Sequence, residues 1–109
     1  MKYREVYAIL NQRRDTVPGF SYQDYSGWRA PEQTPEARQY PLWIVASDNT
    51  TNKRFWILQE GSDLMVLIGK KDAGSDKYHK VRSFHHIPRA ELAYILRGIL
   101  EDQKGEEHT

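Results

Sequence analysis

The densest run of basic side chains in the sequence lies between Lys70 and Arg82, where five basic and two acidic residues accompany one tyrosine. Basic side chains contact phosphates, and aromatic rings provide stacking platforms for unpaired bases. Because side chains alternate along a strand, Tyr78, Lys80 and Arg82 are expected on one face. The run predicts a basic and aromatic track for nucleic acid, with the alternative that the charges keep an edge strand from unwanted pairing.

Four histidines, His79, His85, His86 and His108, are the candidates for metal binding or proton transfer. Adjacent His85 and His86 point to opposite sides of an extended strand, and no spacing provides the three or four converging ligands of a zinc site. We therefore expect no bound metal. A histidine just before the last helix, such as His85, instead suits an anion bound at the helix amides or a simple capping role.

Catalytic and nucleotide-binding motifs do not occur in the sequence. The stretch Gly69-Lys70-Lys71 lacks the upstream glycine and the following hydroxyl residue of a P-loop. The side chains that suit acid–base catalysis are Glu60, Asp63, His79 and His85. A predicted turn accounts for the presence of Glu60 and Asp63, and no nucleophile-bearing motif accompanies the histidines. We expect a protein that is not an enzyme, with no catalytic residue and no cofactor.

The three tryptophans are Trp28, Trp43 and Trp56. Trp43 and Trp56 hold equivalent positions on consecutive predicted strands, so we expect them to be cross-strand neighbours. Packing explains such a pair, and on an open face it would anchor a partner or a base. The residues predicted to bind nucleic acid or a partner are Trp28, Trp43, Trp56, Lys70, Lys71, Lys77, Tyr78, His79, Lys80, Arg82 and His85.

The elements that position these residues follow from apolar periodicity and turn residues. We predict one α+β domain over 1–109. Its parts are an N-terminal helix at 2–14, an irregular aromatic-rich covering segment at 15–40, a four-stranded antiparallel meander sheet at 42–84, a C-terminal helix at 88–102 packed on the sheet, and a frayed tail at 103–109. The links between consecutive strands are short, which favours antiparallel pairing.

The predicted sheet is apolar on both faces. In its third strand, the apolar residues of 64–68 fall on alternating sides without a polar interruption, and the two strands before it show the same pattern. One helix covers only one face of a sheet. We therefore expect the second face to meet the N-terminal helix and the aromatic segment, or another copy of the protein.

The composition excludes several classes of protein. The chain has 109 residues, no cysteine and a formal net charge of +1. The lack of cysteine excludes disulfides, thiol catalysis and thiolate metal sites. A near-neutral charge gives no global field that attracts nucleic acid. No stretch approaches the roughly 20 apolar residues of a membrane span, so we expect a cytoplasmic protein with no membrane partner.

Two functions from different classes fit these observations. The first is a small non-enzymatic interaction or assembly module, completed by a homo-oligomer or a protein partner. The second is a nucleic-acid-binding module. The order of four strands and a helix over residues 42–101 resembles the single-strand-binding coactivator and Whirly architecture, in which paired copies present curved sheets to DNA. That resemblance of element order implies nucleic-acid binding, whereas the near-neutral charge favours the interaction module.

Overall fold

The computed structural model describes residues 3–25, 40–72, 74, 75 and 77–106. The elements within these residues are α1 Tyr3–Thr16, β1 Phe20–Asp24, β2 Leu42–Asp48, β3 Lys53–Glu60, β4 Asp63–Lys71, β5 Tyr78–Ile87, a short 3-10 helix Arg89–Glu91, and α2 Leu92–Glu106. The predicted α+β class, with a helix at each end of an antiparallel sheet, is confirmed. The last helix extends four residues beyond its predicted end at 102.

The five strands pair in chain order, β1-β2-β3-β4-β5, and every pair is antiparallel. The strand beyond the predicted four is β1, which lies inside the segment expected to be irregular. Its Phe20 and Tyr22 alternate with polar residues in the pattern of a short edge strand. Pro18 and the positive φ of Gly19, +87°, turn the chain into this strand directly after α1.

Both helices pack on the same face of the sheet, which we call the helix face. Val6 and Leu10 of α1 and Leu92 and Leu96 of α2 share one buried cluster with the strands. The strand residues of that cluster are Phe20, Ile44, Ala46, Phe55, Ile57, Leu64, Val66, Ile68 and Ile87. The expectation that α1 covers the second face is therefore wrong. The two amphipathic helices contact each other and bury their apolar stripes on the same layer of side chains.

The opposite side of the sheet, which we call the second face, carries a separate buried cluster. Its members are Leu42, Val45, Trp56, Leu58, Met65 and Leu67. Tyr25, Tyr40 and Tyr78 are partly buried against it. The sheet is thus apolar on both faces, as the alternation of its strands predicts. Since every member of this cluster is at most 9% exposed in a single protomer, a second copy is not required to bury it.

Strand β5 contains two β-bulges. Ile68 pairs with Arg82 and Gly69 with Lys80, so Val81 is an extra residue on β5. The second bulge places His85 and His86 opposite the single residue at position 65, because the pairs on either side are 64–87 and 66–84. His86 has a positive φ of 55°. Each bulge changes which side chains share a face, since one inserted residue reverses the alternation.

Within the described part of the chain, no helix is long and apolar enough to cross a membrane.

Candidate functional site

One end of the second face carries basic side chains around a tyrosine, and we call Arg54, Lys71, Tyr78 and Lys80 the basic patch. Three strands contribute to it. Arg54 pairs with Gly69, Gly69 with Lys80, and Lys71 with Tyr78. Paired residues in an antiparallel sheet point to the same side, so the four side chains share one face at the same end of the sheet.

Tyr78 rests on the core of the second face. Its ring meets the buried indole of Trp56 edge to face, with 5.8 Å between centroids and 85° between planes. Gly69 leaves the space for that indole, because a Cβ at position 69 would lie 2.6 Å from Cζ3 of Trp56. An edge-to-face pair of this kind contributes about 1 kcal/mol beyond its area burial. The Tyr78 ring is thus supported by packing against Trp56.

Arg54 covers one side of the Tyr78 ring. Its Cζ lies 4.3 Å from the ring centroid, and its Nε donates a hydrogen bond to Oγ of Ser47 at 3.0 Å. Lys71 Nζ lies 6.0 Å from the same centroid. A cation over an aromatic ring contributes about 0.5–2 kcal/mol. The patch therefore combines fixed positive charge with a planar guanidinium surface stacked on an aromatic ring.

The bulge at Val81 separates Arg82 from the predicted track. Tyr78 and Lys80 remain on the second face, but Arg82 pairs with Ile68 and lies on the helix face. There its Cζ is 4.7 Å from the ring centroid of Phe84. The expectation that Tyr78, Lys80 and Arg82 share one face is wrong, because the inserted residue reverses the alternation between 80 and 82.

The two described tryptophans lie on opposite faces and are not cross-strand neighbours. Trp56 belongs to the second-face cluster and pairs with Val45, whereas Trp43 packs against the helix-face cluster. Trp43 meets the ring of Tyr7 edge to face, with 6.1 Å between centroids. The register shift between positions 42 and 44 explains the difference, since it turns Trp43 to the other side.

Three of the other predicted binding residues, Lys70, Lys77 and His79, lie around the same end of the sheet. Lys70 pairs with His79, and both are on the helix-face side of the strands. His79 Nδ1 lies 3.7 Å from Asp72 Oδ2 at the surface. Lys77 is exposed just before β5. Trp28 lies outside the described residues, and His85 lies at the far end of β5.

At that far end, Glu60 holds the second bulge of β5. Its Oε1 accepts a hydrogen bond from the backbone N–H of His86 at 2.8 Å, and its Oε2 lies 2.8 Å from Nδ1 of His85. His86 Nδ1 is 3.6 Å from Oε1. Glu60 ends β3 at the tight turn 61–62, while β4 separates β3 from β5 in the sheet. The bulge brings the histidines within reach of this carboxylate.

Ser83 extends the same chain of hydrogen bonds. Its Oγ lies 3.0 Å from Nε2 of His85. An ionised Glu60 only accepts hydrogen bonds, so the proton of a neutral His85 ring lies on Nδ1, and Nε2 then accepts the hydroxyl proton of Ser83. The sequence marked Glu60 and His85 as acid–base residues but not Ser83. The missed signal is the Ser-x-His spacing, which places two side chains on one side of a strand.

The environment of Glu60 favours its ionised form. Burial raises the pKa of the Glu60 carboxyl, but the hydrogen bond from His85, the backbone hydrogen bond from His86 and the nearby imidazoles together hold that pKa below its ordinary value of 4.5. The Glu60 side chain is 14% exposed and that of His85 46% exposed. A shielded carboxylate therefore orients an imidazole that remains open to solvent.

Within residues 3–25, 40–72, 74, 75 and 77–106, no three His, Asp or Glu side chains converge to hold a metal ion. Comparison of the chain with protein-family models, with curated proteins and with solved structures found no match. The function must therefore be inferred from the side chains themselves.

Proposed function

We propose that the protein is a small binding module that contacts single-stranded nucleic acid through the basic patch. The observation that carries the proposal is the stack of Arg54 on Tyr78, flanked by Lys71 and Lys80 on one face. Unpaired bases stack on aromatic rings and on guanidinium planes, and lysines contact the phosphates that link them. A cytoplasmic location is part of this proposal.

The patch suits a strand without a fixed base sequence. Its cations are presented on one face of the sheet, and stacking on a ring or a guanidinium is tolerant of base identity because every base has a flat face. The local charge matters more than the net charge of +1, since exposed charges act over about one Debye length of roughly 10 Å. The binding is therefore expected to be weak at physiological salt and to strengthen as salt is removed.

Two double variants with equal charge loss test the proposal. Lys71→Ala with Lys80→Ala removes two cations from the patch, whereas Lys70→Ala with Arg82→Ala removes two from the helix-face side of the same strands. Anisotropy titration of a labelled single-stranded oligonucleotide measures each affinity across a series of salt concentrations. We expect the first variant to weaken binding about tenfold and to flatten the salt slope by roughly 1.4, or about 0.7 for each lost phosphate contact.

The control variant should bind nearly as well as the wild type. Equal losses of affinity in the two variants would indicate diffuse electrostatic attraction and would contradict binding at a defined patch. No anisotropy change with wild-type protein at low salt would remove the proposal altogether. All four substituted side chains lie at least partly at the surface, so we expect both variants to keep the fold. Circular dichroism checks this.

A second candidate is association with a protein partner or a second copy along the outer edge of β5. Val81, 48% exposed, and Tyr94, 82% exposed, are the large apolar side chains exposed within the described residues. Val81 lies on this edge, but the bulges and basic residues of β5 are features that oppose strand pairing. Light scattering at micromolar concentration tests this candidate. A dimer that dissociates in the Val81→Glu variant would support association along β5, and a monomeric wild-type protein would contradict it.

A further inference from the structure

We propose that Ser83, His85 and Glu60 form a hydrolytic relay in which the Ser83 hydroxyl is an acyl-accepting nucleophile. The substrate class is a carboxylic ester, or another activated acyl group, presented at the open surface of β5. This activity goes beyond binding and lies at the opposite end of β5 from the basic patch. It would also overturn the expectation from the sequence that the chain is not an enzyme.

The order of the hydrogen bonds is the one that nucleophile activation requires. Ser83 Oγ is 3.0 Å from His85 Nε2, and His85 Nδ1 is 2.8 Å from Glu60 Oε2. Both distances fall within the range for a nucleophile and its base, and for a base and the group that orients it. The carboxylate selects the tautomer in which Nε2 can take the hydroxyl proton.

Glu60 is held more firmly than a surface ion pair. Its second oxygen accepts the backbone N–H of His86 at 2.8 Å, so the carboxylate plane is fixed by a bond to the main chain as well as by the imidazole. Its side chain is 14% exposed. A positioning residue needs this kind of support, because a loosely held carboxylate would not keep the base, His85, in line with Ser83.

The edge of the sheet also offers donors for a developing oxyanion. Strand β5 is last in the sheet order. Along an antiparallel edge, every second backbone N–H points away from the neighbouring strand. Either Ser83 or its neighbours Arg82 and Phe84 therefore direct an amide outward beside the nucleophile. Backbone amides of this type stabilise the tetrahedral intermediate of acyl transfer.

The proposed reaction has two steps. In the first, Ser83 Oγ attacks the carbonyl carbon of the ester, its proton passes to His85 Nε2, and the alcohol leaves with that proton. An ester of Ser83 remains. In the second, a water molecule gives a proton to His85 and attacks the ester, and the carboxylic acid departs as Ser83 regains its proton. Glu60 keeps its charge throughout and stabilises the imidazolium.

A fluorophosphonate probe tests the relay, because it forms a stable bond with an activated serine. We expect intact-mass analysis to show one added phosphonyl group, and peptide mapping to place it on Ser83. His85→Gln and Glu60→Gln should each slow labelling by about 100-fold or more. The matched control is Ser62→Ala, which removes an exposed serine from the turn beside Glu60 and should leave the labelling rate unchanged. Hydrolysis of p-nitrophenyl acetate should follow the same ranking.

Two results would overturn the proposal. The first is a wild-type protein in which Ser83 is labelled no faster than Ser62. The second is a His85→Gln variant that is folded by circular dichroism and still labelled at the wild-type rate. Loss of labelling in Glu60→Gln counts as support only if this variant keeps the near-ultraviolet circular dichroism spectrum of the wild type, because that spectrum reports tertiary packing. Where that spectrum changes, His85→Gln alone decides.

Discussion

The two ends of strand β5 are built on different physical principles. At its start, Tyr78 rests on the buried indole of Trp56, and Arg54 stacks on the tyrosine. At its far end, Glu60 is hydrogen-bonded to the His85 ring and accepts a hydrogen bond from the backbone N–H of His86. The first arrangement depends on apolar packing and the second on polar geometry at a bulge. Substitutions at the packed end should therefore cost more stability, whereas the stability change caused by substitutions at the polar end should depend on pH.

The largest effect is expected at Trp56. Trp56→Ala removes the support of the Tyr78 ring and leaves a cavity in the second-face cluster. Its indole N–H is buried without a hydrogen-bond partner among the described residues, so the stabilisation comes from packing. We expect a loss of about 3–5 kcal/mol in the free energy of unfolding, measured with urea. A loss below about 1 kcal/mol would show that the indole does not support this end.

Gly69 provides a sharper test of the same contact. Gly69→Ala would place a methyl group 2.6 Å from the Trp56 ring and 3.2 Å from the carbonyl oxygen of His79. We expect a loss of about 1–3 kcal/mol in urea unfolding, because both the indole and the strand must shift. The control is Gly98→Ala in α2, where a methyl group meets no atom within 4 Å. This change should be neutral or stabilising by up to about 1 kcal/mol.

A smaller and pH-dependent effect is expected at Glu60. Since its folded pKa is lowered, the ionised carboxylate stabilises the fold above its ordinary pKa of 4.5, and this contribution is lost as the pH falls through the lower folded value. Glu60→Gln should cost about 1–2 kcal/mol at pH 7. The difference from wild type in urea unfolding should shrink below pH 4.5. A difference that stays constant with pH would contradict the assigned role of the charge.

The smallest effect is expected at Lys77, which is exposed just before β5. Lys77→Ala should change the free energy of unfolding by less than about 0.5 kcal/mol, because an exposed side chain loses little contact area. The same urea titration measures it. A loss above about 1 kcal/mol would show that the entry to β5 carries a structural contact, and the contrast between its two ends would then need revision.

The main elements could be predicted from the sequence because their patterns are strong. The two-sided apolar run 64–68 and the turn at 60–63 predict buried antiparallel strands, and the structure has them. Strand β1 was missed since five residues next to Pro18 and Gly19 give a weak signal beside so many turn formers. Whether so short an edge strand forms depends on its pairing with the neighbouring strand, and the sequence alone does not show that pairing.

The site could be predicted less well, because bulges are set by tertiary packing. Basic residues of β4 and β5 were identified, yet Arg82 could not be assigned to its face without knowing that Val81 is an inserted residue. The same limit applies to Trp43, which a register shift turns to the helix face. Arg54 was not singled out, since its role depends on pairing with Gly69. Alternation along a strand holds only up to the first bulge.

Ultraviolet cross-linking of single-stranded oligothymidine to the wild-type protein, followed by peptide mass spectrometry, tests the central claim most directly. If the basic patch holds the strand, the cross-linked residue is Tyr78, and the yield falls in the Lys71→Ala, Lys80→Ala double variant but not in the Lys70→Ala, Arg82→Ala variant. Cross-links confined to aromatic residues of the helix face, such as Tyr7 or Trp43, would place the nucleic acid elsewhere and contradict the account.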